Sequence, residues 1–366
     1  MRKLEKFKFD YSLLFLLFLL GTISIITLIK AEKILETDNL VERQLMWYFI
    51  GSILIIFIIK IGNEKIYKYS FILYILGNIS LISLLLFATP INNAKCWFNI
   101  PKIGTIQPSE FMKIILIIVI AITLTEKNKN EFKSLFKIGL IIFIPTILTF
   151  LEPDTGVVLI YLLITTIMLY IGEFKKRWFI IGISIIGITT ILTIYIHNNN
   201  TNLFLKIFGN DFFLRVDRLL DWSNKNGYQL QNSLVSIGSG GLFGSKESLY
   251  IPESQTDFIF AIYANEFGFV GAIILLGIIT LLDLRLIIIA KKAKNKRDKY
   301  VIAGILGMLL YQQIQNIGMN IGLMPITGIT LPFISYGGSS LLSYMIMIGI
   351  VLNISDKVSK TSKIIS

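Results

Sequence analysis

One cysteine and one histidine are all this chain offers for thiolate and imidazole chemistry. A lone Cys96 excludes an internal disulfide and a cysteine-based metal cluster. A lone His197 excludes a multi-histidine metal site and a triad built around several histidines. It sits at a span boundary beside Asn198, Asn199 and Asn200, where it reads as a solvated loop residue. Charge is also scarce, at 16% of 366 residues, and so is proline, at eight residues placed mostly at span ends and in loops. No low-complexity tract, soluble second domain or 20–50-residue repeat interrupts the chain, which reads as a single membrane domain over 1–366.

What fills the sequence is apolar. Mean hydropathy is +0.72 and 54% of residues are hydrophobic, gathered in blocks long enough to cross a bilayer. Ten spans are expected, near 11–29, 45–61, 67–88, 110–125, 137–151, 155–172, 178–196, 257–284, 301–323 and 333–354. Backbone groups in lipid are satisfied by helices or closed barrels, and runs this long are helices. The fold class is therefore all-α and polytopic. Arg2, Lys3, Lys6 and Lys8 precede the first span without a small-residue cleavage site behind it, so that span is expected to be retained.

Lysine and arginine orient the spans. With the N-terminus inside, cytoplasmic segments hold 24 of them and outer segments 10. Both termini are thus expected in the cytoplasm, and a long loop at 197–256, between the seventh and eighth spans, outside. The net charge of +12 follows from this bias and from attraction to anionic membrane lipids, which argues against a nucleic-acid partner.

The charges that remain near the spans mark candidate sites. Asp257 opens the eighth span after the polar run Pro252–Thr256, where a carboxylate is costly unless paired, hydrated or used. Gln107-Pro108-Ser109-Glu110-Phe111-Met112-Lys113 begins the fourth span. Pro108 and Glu110 suit a helix start, but Lys113 lies a turn deeper, on the face of Glu110. That spacing points to an internal ion pair lining a polar cavity. Glu152-Pro153-Asp154-Thr155-Gly156 joins the fifth and sixth spans, where Asp154 is either a helix cap or a functional carboxylate.

The long loop has an amphipathic stretch near 203–220, expected on the bilayer surface, with Arg215 and Arg218 as diphosphate ligands or as partners of Asp217 and Asp221. Its run Ser236–Gly244 is either an anion-binding set of backbone N–H groups or a tight turn, without the lysine of a Walker loop. Glu266 is expected to face a helix neighbour, and Gln312, Gln313, Gln315, Asn316 and Asn320 to bind helices together.

Taken in order, QPSEFMK (107–113), EPDTG (152–156), GYQ (227–229), IGSGGLFG (237–244), TDFIFA (256–261), NEFGFVG (265–271) and LPFISYGGSS (331–340) resemble the RodA/FtsW/SpoVE, or SEDS, family. The resemblance covers nearly the whole chain. It implies a glycosyltransferase that polymerises lipid II at the outer face of the bacterial cytoplasmic membrane and releases undecaprenyl diphosphate. It also implies a class B penicillin-binding protein as membrane partner of the enzyme and its growing glycan strand.

On that resemblance Asp257 matches the family's essential aspartate, and Glu110 and Lys113 match polar residues of the central cavity. Gln107, Ser335 and Tyr336 fall in the same motifs and join the candidates for substrate contact. Two departures stand out. Lys95-Cys96-Trp97 carries lysine where the family commonly has arginine, which replaces a bidentate fork by a point charge. Asn265-Glu266 keeps one carboxylate of an acidic pair.

The expected mechanism has Asp257 as general base toward a sugar 4-hydroxyl. Lys113, Lys95, Arg215, Arg218 or a divalent cation, Mg2+ or Mn2+ shared by Asp257 and Glu110, would offset the leaving diphosphate. Two other classes fit a ten-span chain with buried polar groups: a flippase for a lipid-linked precursor and a non-catalytic scaffold of a synthase.

Overall fold

A computed structural model describes residues 7–90, 95–100, 104–126, 130–223, 227–245 and 250–365, without the side chains of 211, 214, 215, 218–223 and 361–365. Its helices in chain order are α1 (Tyr11–Leu35), α2 (Leu40–Ile61), α3 (Asn63–Lys68), α4 (Ser70–Phe87), α5 (Pro108–Thr125), α6 (Glu131–Leu151), α7 (Thr155–Ile171) and α8 (Lys176–Asn199). They continue with α9 (Thr201–Ser223), α10 (Tyr228–Ser239), α11 (Ile259–Lys292), α12 (Lys296–Asn320) and α13 (Gly338–Ile365). A short antiparallel hairpin, β1 (Phe98–Ile100) and β2 (Gly104–Ile106), precedes α5 and pairs Phe98 with Ile106.

Local chemistry sets many of these ends. Asp10, Asn130, Asp154 and Asn295 each cap the following helix by accepting a backbone N–H, and Pro108 occupies the first turn of α5. Among the described residues, eight helices are long and apolar enough to cross a membrane: α1, α2, α4, α5, α6, α8, α11 and α13. The apolar α7 is shorter, and α12 carries the amides that lower its hydropathy.

Helix α5 is the centre of the bundle. It packs against α4, α6, α7, α12 and α13, and most of its side chains are buried. Helix α13 lies along α2, and α1 lies along α11. The outward faces expose Phe15, Phe18, Phe49, Ile53, Phe71 and Ile79, the pattern of a surface that meets lipid rather than water. Helix α8 packs on α9 and leaves nearly all its apolar side chains on the outside.

At one end of the bundle the charges interlock. Arg285 of α11 holds Asp10, the α1 cap, through two nitrogens. Arg297 and Lys357 share Glu64, and Tyr67 donates to Asp298 at 2.9 Å.

Several expectations change. The third span is α4, because α3 ends at Lys68 before it begins. The eighth runs to Lys292 and is broken at Gly268, whose φ of 64° leaves the helical region. The last helix starts only at Gly338, and the seven residues before it form an irregular segment. The long loop is largely helical, as α9 and α10. His197 is not a solvated loop residue. It ends α8 buried, stacks on Phe213 at 4.5 Å and meets Asp217 Oδ1 at 3.2 Å, because the aromatic face of α9 offers it a dry pocket.

Candidate functional site

Asp257 sits in a tight turn just ahead of α11. The carbonyl of Glu253, itself at φ 58°, accepts the N–H groups of Thr256, Asp257 and Phe258. Two elements hold this turn from opposite sides. From α12, Asn316 Nδ2 donates to the Asp257 carbonyl at 2.8 Å and Asn320 Nδ2 does so at 3.0 Å. Asn320 also accepts the N–H of Ala261 at 3.1 Å, which fixes the first turn of α11. From the segment before α13, Ser335 Oγ donates to Thr256 O at 2.6 Å and Tyr336 N donates to Gln255 O at 2.8 Å.

That second clamp is itself anchored. Ser24 of α1 donates to Ile334 O, Gln44 of α2 donates to Ser335 O, and Tyr48 donates to Phe333 O. Phe333 has φ 64°, a left-handed conformation that a non-glycine residue keeps only when its surroundings impose it.

The backbone of Asp257 is thus fully engaged, while no described side chain hydrogen-bonds its carboxylate. Its Oδ2 faces Gly328, where a side-chain carbon would stand 3.5 Å away. Burial, then the carboxylates of Glu253 and Asp154, push the Asp257 acid up to about 7.

Asp154 caps α7 through Val157 N at 3.0 Å and accepts Gln107 Nε2 at 2.6 Å on its other oxygen. It therefore serves as a cap and as a link to the QPSEFMK motif at once. Burial raises its acid to about 6 against the pull of the Val157 N–H, with Glu110 adding to the rise and Lys113 and Gln107 opposing it. Gly156, in the same motif, lets Thr327 O approach so closely that a side-chain carbon would lie 2.7 Å from it. The EPDTG turn, the Thr327–Gly328 loop and Asp257 therefore pack in sequence.

Beneath them, Lys113 Nζ and Glu110 Oε2 form a 2.7 Å ion pair, and Lys113 is wholly buried. Its ammonium lies 5.7 Å from the ring centre of Tyr344, whose hydroxyl accepts Gln312 Nε2 at 2.9 Å. Asp257, Asp154, Glu110 and Lys113 thus form one electrostatic group, built from α5, the α6–α7 turn and the start of α11.

Other expected residues lie apart from it. Lys95 donates to Leu85 O at 3.2 Å, at the end of α4. Glu266 pairs with Lys30 of α1 at 2.7 Å. Glu152 is fully buried, both its carboxyl oxygens lack a hydrogen-bond partner among the described residues, and burial followed by Asp154 pushes its acid up to about 9. Cys96 donates to the Glu152 carbonyl at 2.7 Å. The side chains of Arg215 and Arg218 lie outside the described residues.

The glycine run serves the backbone of α11. Gly241 O and Leu242 O accept the N–H groups of Phe269 and Val270, and Ser245 N donates to Asn265 O. A side chain on Gly244 would meet Glu266 O at 2.0 Å, and one on Gly268 would meet Gly244 N at 2.5 Å.

Sequence reasoning missed the task of Asn316 and Asn320. The signal was the amide density of α12, but which carbonyls those amides reach depends on a turn about 60 residues away. Among the described residues no three His, Cys, Asp or Glu side chains converge to hold a metal ion, and Glu110 is already neutralised by Lys113. These residues do not by themselves compose a cation site.

The FtsW/RodA/SpoVE family, described as cell cycle proteins, matches residues 8–360. The chain is 31% identical to stage V sporulation protein E of Bacillus subtilis, over 94% of this chain and 96% of that one. It is 34% identical to a probable peptidoglycan glycosyltransferase FtsW of Wigglesworthia glossinidia brevipalpis, over 94% of this chain and 93% of the relative. Its structure superposes with a TM-score of 0.82 and 25% identity on a solved chain from work on the structural coordination of polymerization and crosslinking by a peptidoglycan synthase complex. That match covers 96% of this chain and 99% of the other.

Proposed function

Because the chain belongs to the FtsW/RodA/SpoVE family of cell cycle proteins, we propose that it is a peptidoglycan glycosyltransferase whose general base is Asp257. Ten helices, α1, α2, α4 to α8 and α11 to α13, cross the bacterial cytoplasmic membrane. The Asp257 end faces outward, and the lysine-rich and arginine-rich end faces the cytoplasm.

The substrate is lipid II. Asp257 takes the proton of the sugar 4-hydroxyl on one lipid-linked molecule. The freed oxygen bonds to the anomeric carbon of the other, and the bond from that carbon to the diphosphate breaks. Undecaprenyl diphosphate leaves with the bonding pair. The observation that carries this reading is a carboxyl with a clamped backbone and no hydrogen-bond partner among the described residues, which burial pushes up to about 7, the combination a general base requires.

Lys113 acts through its field. Buried against Glu110, it offsets the row of carboxylates from below and keeps Asp154 from rising further. Gln107, Ser335 and Tyr336 hold the walls of the site, and Arg215 and Arg218 are the candidates for the diphosphate. No step is assigned to a divalent cation. One bound at Asp257 would draw its remaining ligands from the substrate. A class B penicillin-binding protein that cross-links the product is the fitting partner.

The test is polymerisation of lipid II by the purified chain. Glycan polymer from the native protein and none from Asp257→Asn supports the reading. Undiminished polymer from the variant sinks the assignment of the base. No polymer from the native chain, with labelled lipid crossing liposomes, replaces the enzyme by a flippase.

A further inference from the structure

The α1–α11 pair carries two ion pairs, Asp10–Arg285 at one end and Lys30–Glu266 at the other. Asp10 and Lys30 are 20 positions apart, about 30 Å of helix, and on α11 Glu266 and Arg285 are 19 apart, with the break at Gly268 between them. The hydrocarbon core of a bilayer is about 30 Å thick. Ionised side chains gather at its two edges, so Glu266 marks one edge.

The turn Gly240–Gly244 is pinned at that same level. Its carbonyls accept from Phe269 and Val270, and Ser245 N donates to the carbonyl of Asn265. Because Gly240, Gly244 and Gly268 bring backbone against backbone, there is no room for side chains between the turn and α11. The two residues at the tip point away instead: Leu242 is 63% exposed and Phe243 is 80% exposed. Beside them α11 exposes Phe269, Val270, Ile273 and Ile274, the start of the apolar face that runs down the outside of the bundle. Residues 237–244 carry no charge.

We propose that Leu242 and Phe243 form a finger that inserts into the lipid at the Glu266 edge of the membrane, with phospholipid acyl chains as its occupant. The finger tethers the α10 region to the bilayer, independently of the reaction at Asp257. Continuity with the lipid-facing strip of α11 favours lipid over a protein partner. A large apolar side chain just inside the edge gains burial without stranding any polar group.

The test places single cysteines at Phe243→Cys and Leu242→Cys in the full chain, spin-labels them and reconstitutes the protein in phosphatidylcholine and phosphatidylglycerol vesicles. The buried thiol of Cys96 supplies the labelling background, with Cys96→Ser as a second background. Power saturation with oxygen and with a nickel chelate then reads depth. Ile273→Cys is the lipid reference. Tyr228→Cys is the aqueous one, because it is exposed at the far end of α10, about 16 Å of helix from Ser239.

Labels at 242 and 243 are expected to favour oxygen over nickel severalfold, as at 273. Accessibility matching 228 overturns the proposal. So does shielding from both reagents, which would mean that protein covers the finger. Because the side chain of Phe243 is exposed, its replacement leaves the packing intact.

Discussion

Asn316 and Asp257 are joined by a 2.8 Å hydrogen bond from an amide near the C-terminal end of α12 to the backbone carbonyl of the candidate base. The same amide nitrogen reaches Ile329 O at 2.8 Å, so it ties the turn of Asp257 to the loop that faces its carboxylate. Asn316 acts through Asp257 and is a positioning residue. Asn316→Leu should leave Ile329 O unpaired, at a cost of about 1–3 kcal/mol, and Asp257 O held by Asn320 alone. The expected result is a fall in kcat of roughly tenfold to a hundredfold with KM little changed and the pH midpoint of the reaction displaced. An unchanged rate would show that Asn316 only joins helices.

The acid constant of Asp257 dictates a pH profile. A base must be ionised to work, so kcat/KM should rise with pH through a midpoint near 7. Asp154→Asn keeps the α7 cap and removes a carboxylate that holds that midpoint up. The acid limb should therefore move to lower pH. A limb that stays in place, or moves upward, would break the electrostatic link between the two.

Glu152 offers a stability test. Its folded-state acid constant, about 9, lies above the ordinary 4.5, so between those values the folded chain holds a proton that the unfolded chain releases. Stability contributed by this group is present below pH 4.5 and is lost as pH rises toward 9. Glu152→Gln imitates the neutral acid. It should raise the melting temperature at pH 8 in detergent and flatten its pH dependence, without restoring any missing hydrogen bond.

Lys113 and Glu110 should fail separately and recover together. Removing one partner of a buried pair leaves an uncompensated charge and costs about 3–5 kcal/mol. Lys113→Met and Glu110→Gln should each lower the thermal midpoint sharply. The double variant should regain most of the loss, while its activity stays low. Thermal melts on the three proteins check this.

The contact between the glycine turn and α11 leaves no space for a methyl group. With 2.0 Å between a side-chain carbon on Gly244 and Glu266 O, Gly244→Ala should destabilise by more than about 2 kcal/mol. Gly277→Ala, where nothing lies within 4 Å, is the tolerant control and should melt like the native chain.

Hydropathy located the long helices because a bilayer demands runs of a set length: α5, α7 and α8 begin and end within about three residues of their apolar blocks, while α1 runs past its block and α2 starts before its own. Asp257, Glu110 and Lys113 were visible because charge beside apolar runs is costly. The partners were not. Nothing local in Asn316 says that it will meet residue 257, and nothing in His197 says that Phe213 will stack on it. The glycine run showed where backbone is permissive, but its contact with Gly268 arises from a kink that a continuous apolar pattern conceals. Segment 333–337 looked like the start of a span because Phe333 and Ile334 are apolar, although they are buried in the protein and not in lipid.

The cover over Lys113 has a bearing on how the chain is made. The lysine lies in α5, yet the aromatic ring above its ammonium belongs to Tyr344 in α13, which is synthesised long after α5. Until then α5 holds a cation whose only described ionic partner is Glu110, one turn away on the same helix. A ribosome stalled before residue 338 would leave that pair facing lipid or water, where charge beside apolar spans is costly. Completion of the reaction centre therefore waits for the synthesis of α13, and chains truncated before it should be less stable than chains that contain it.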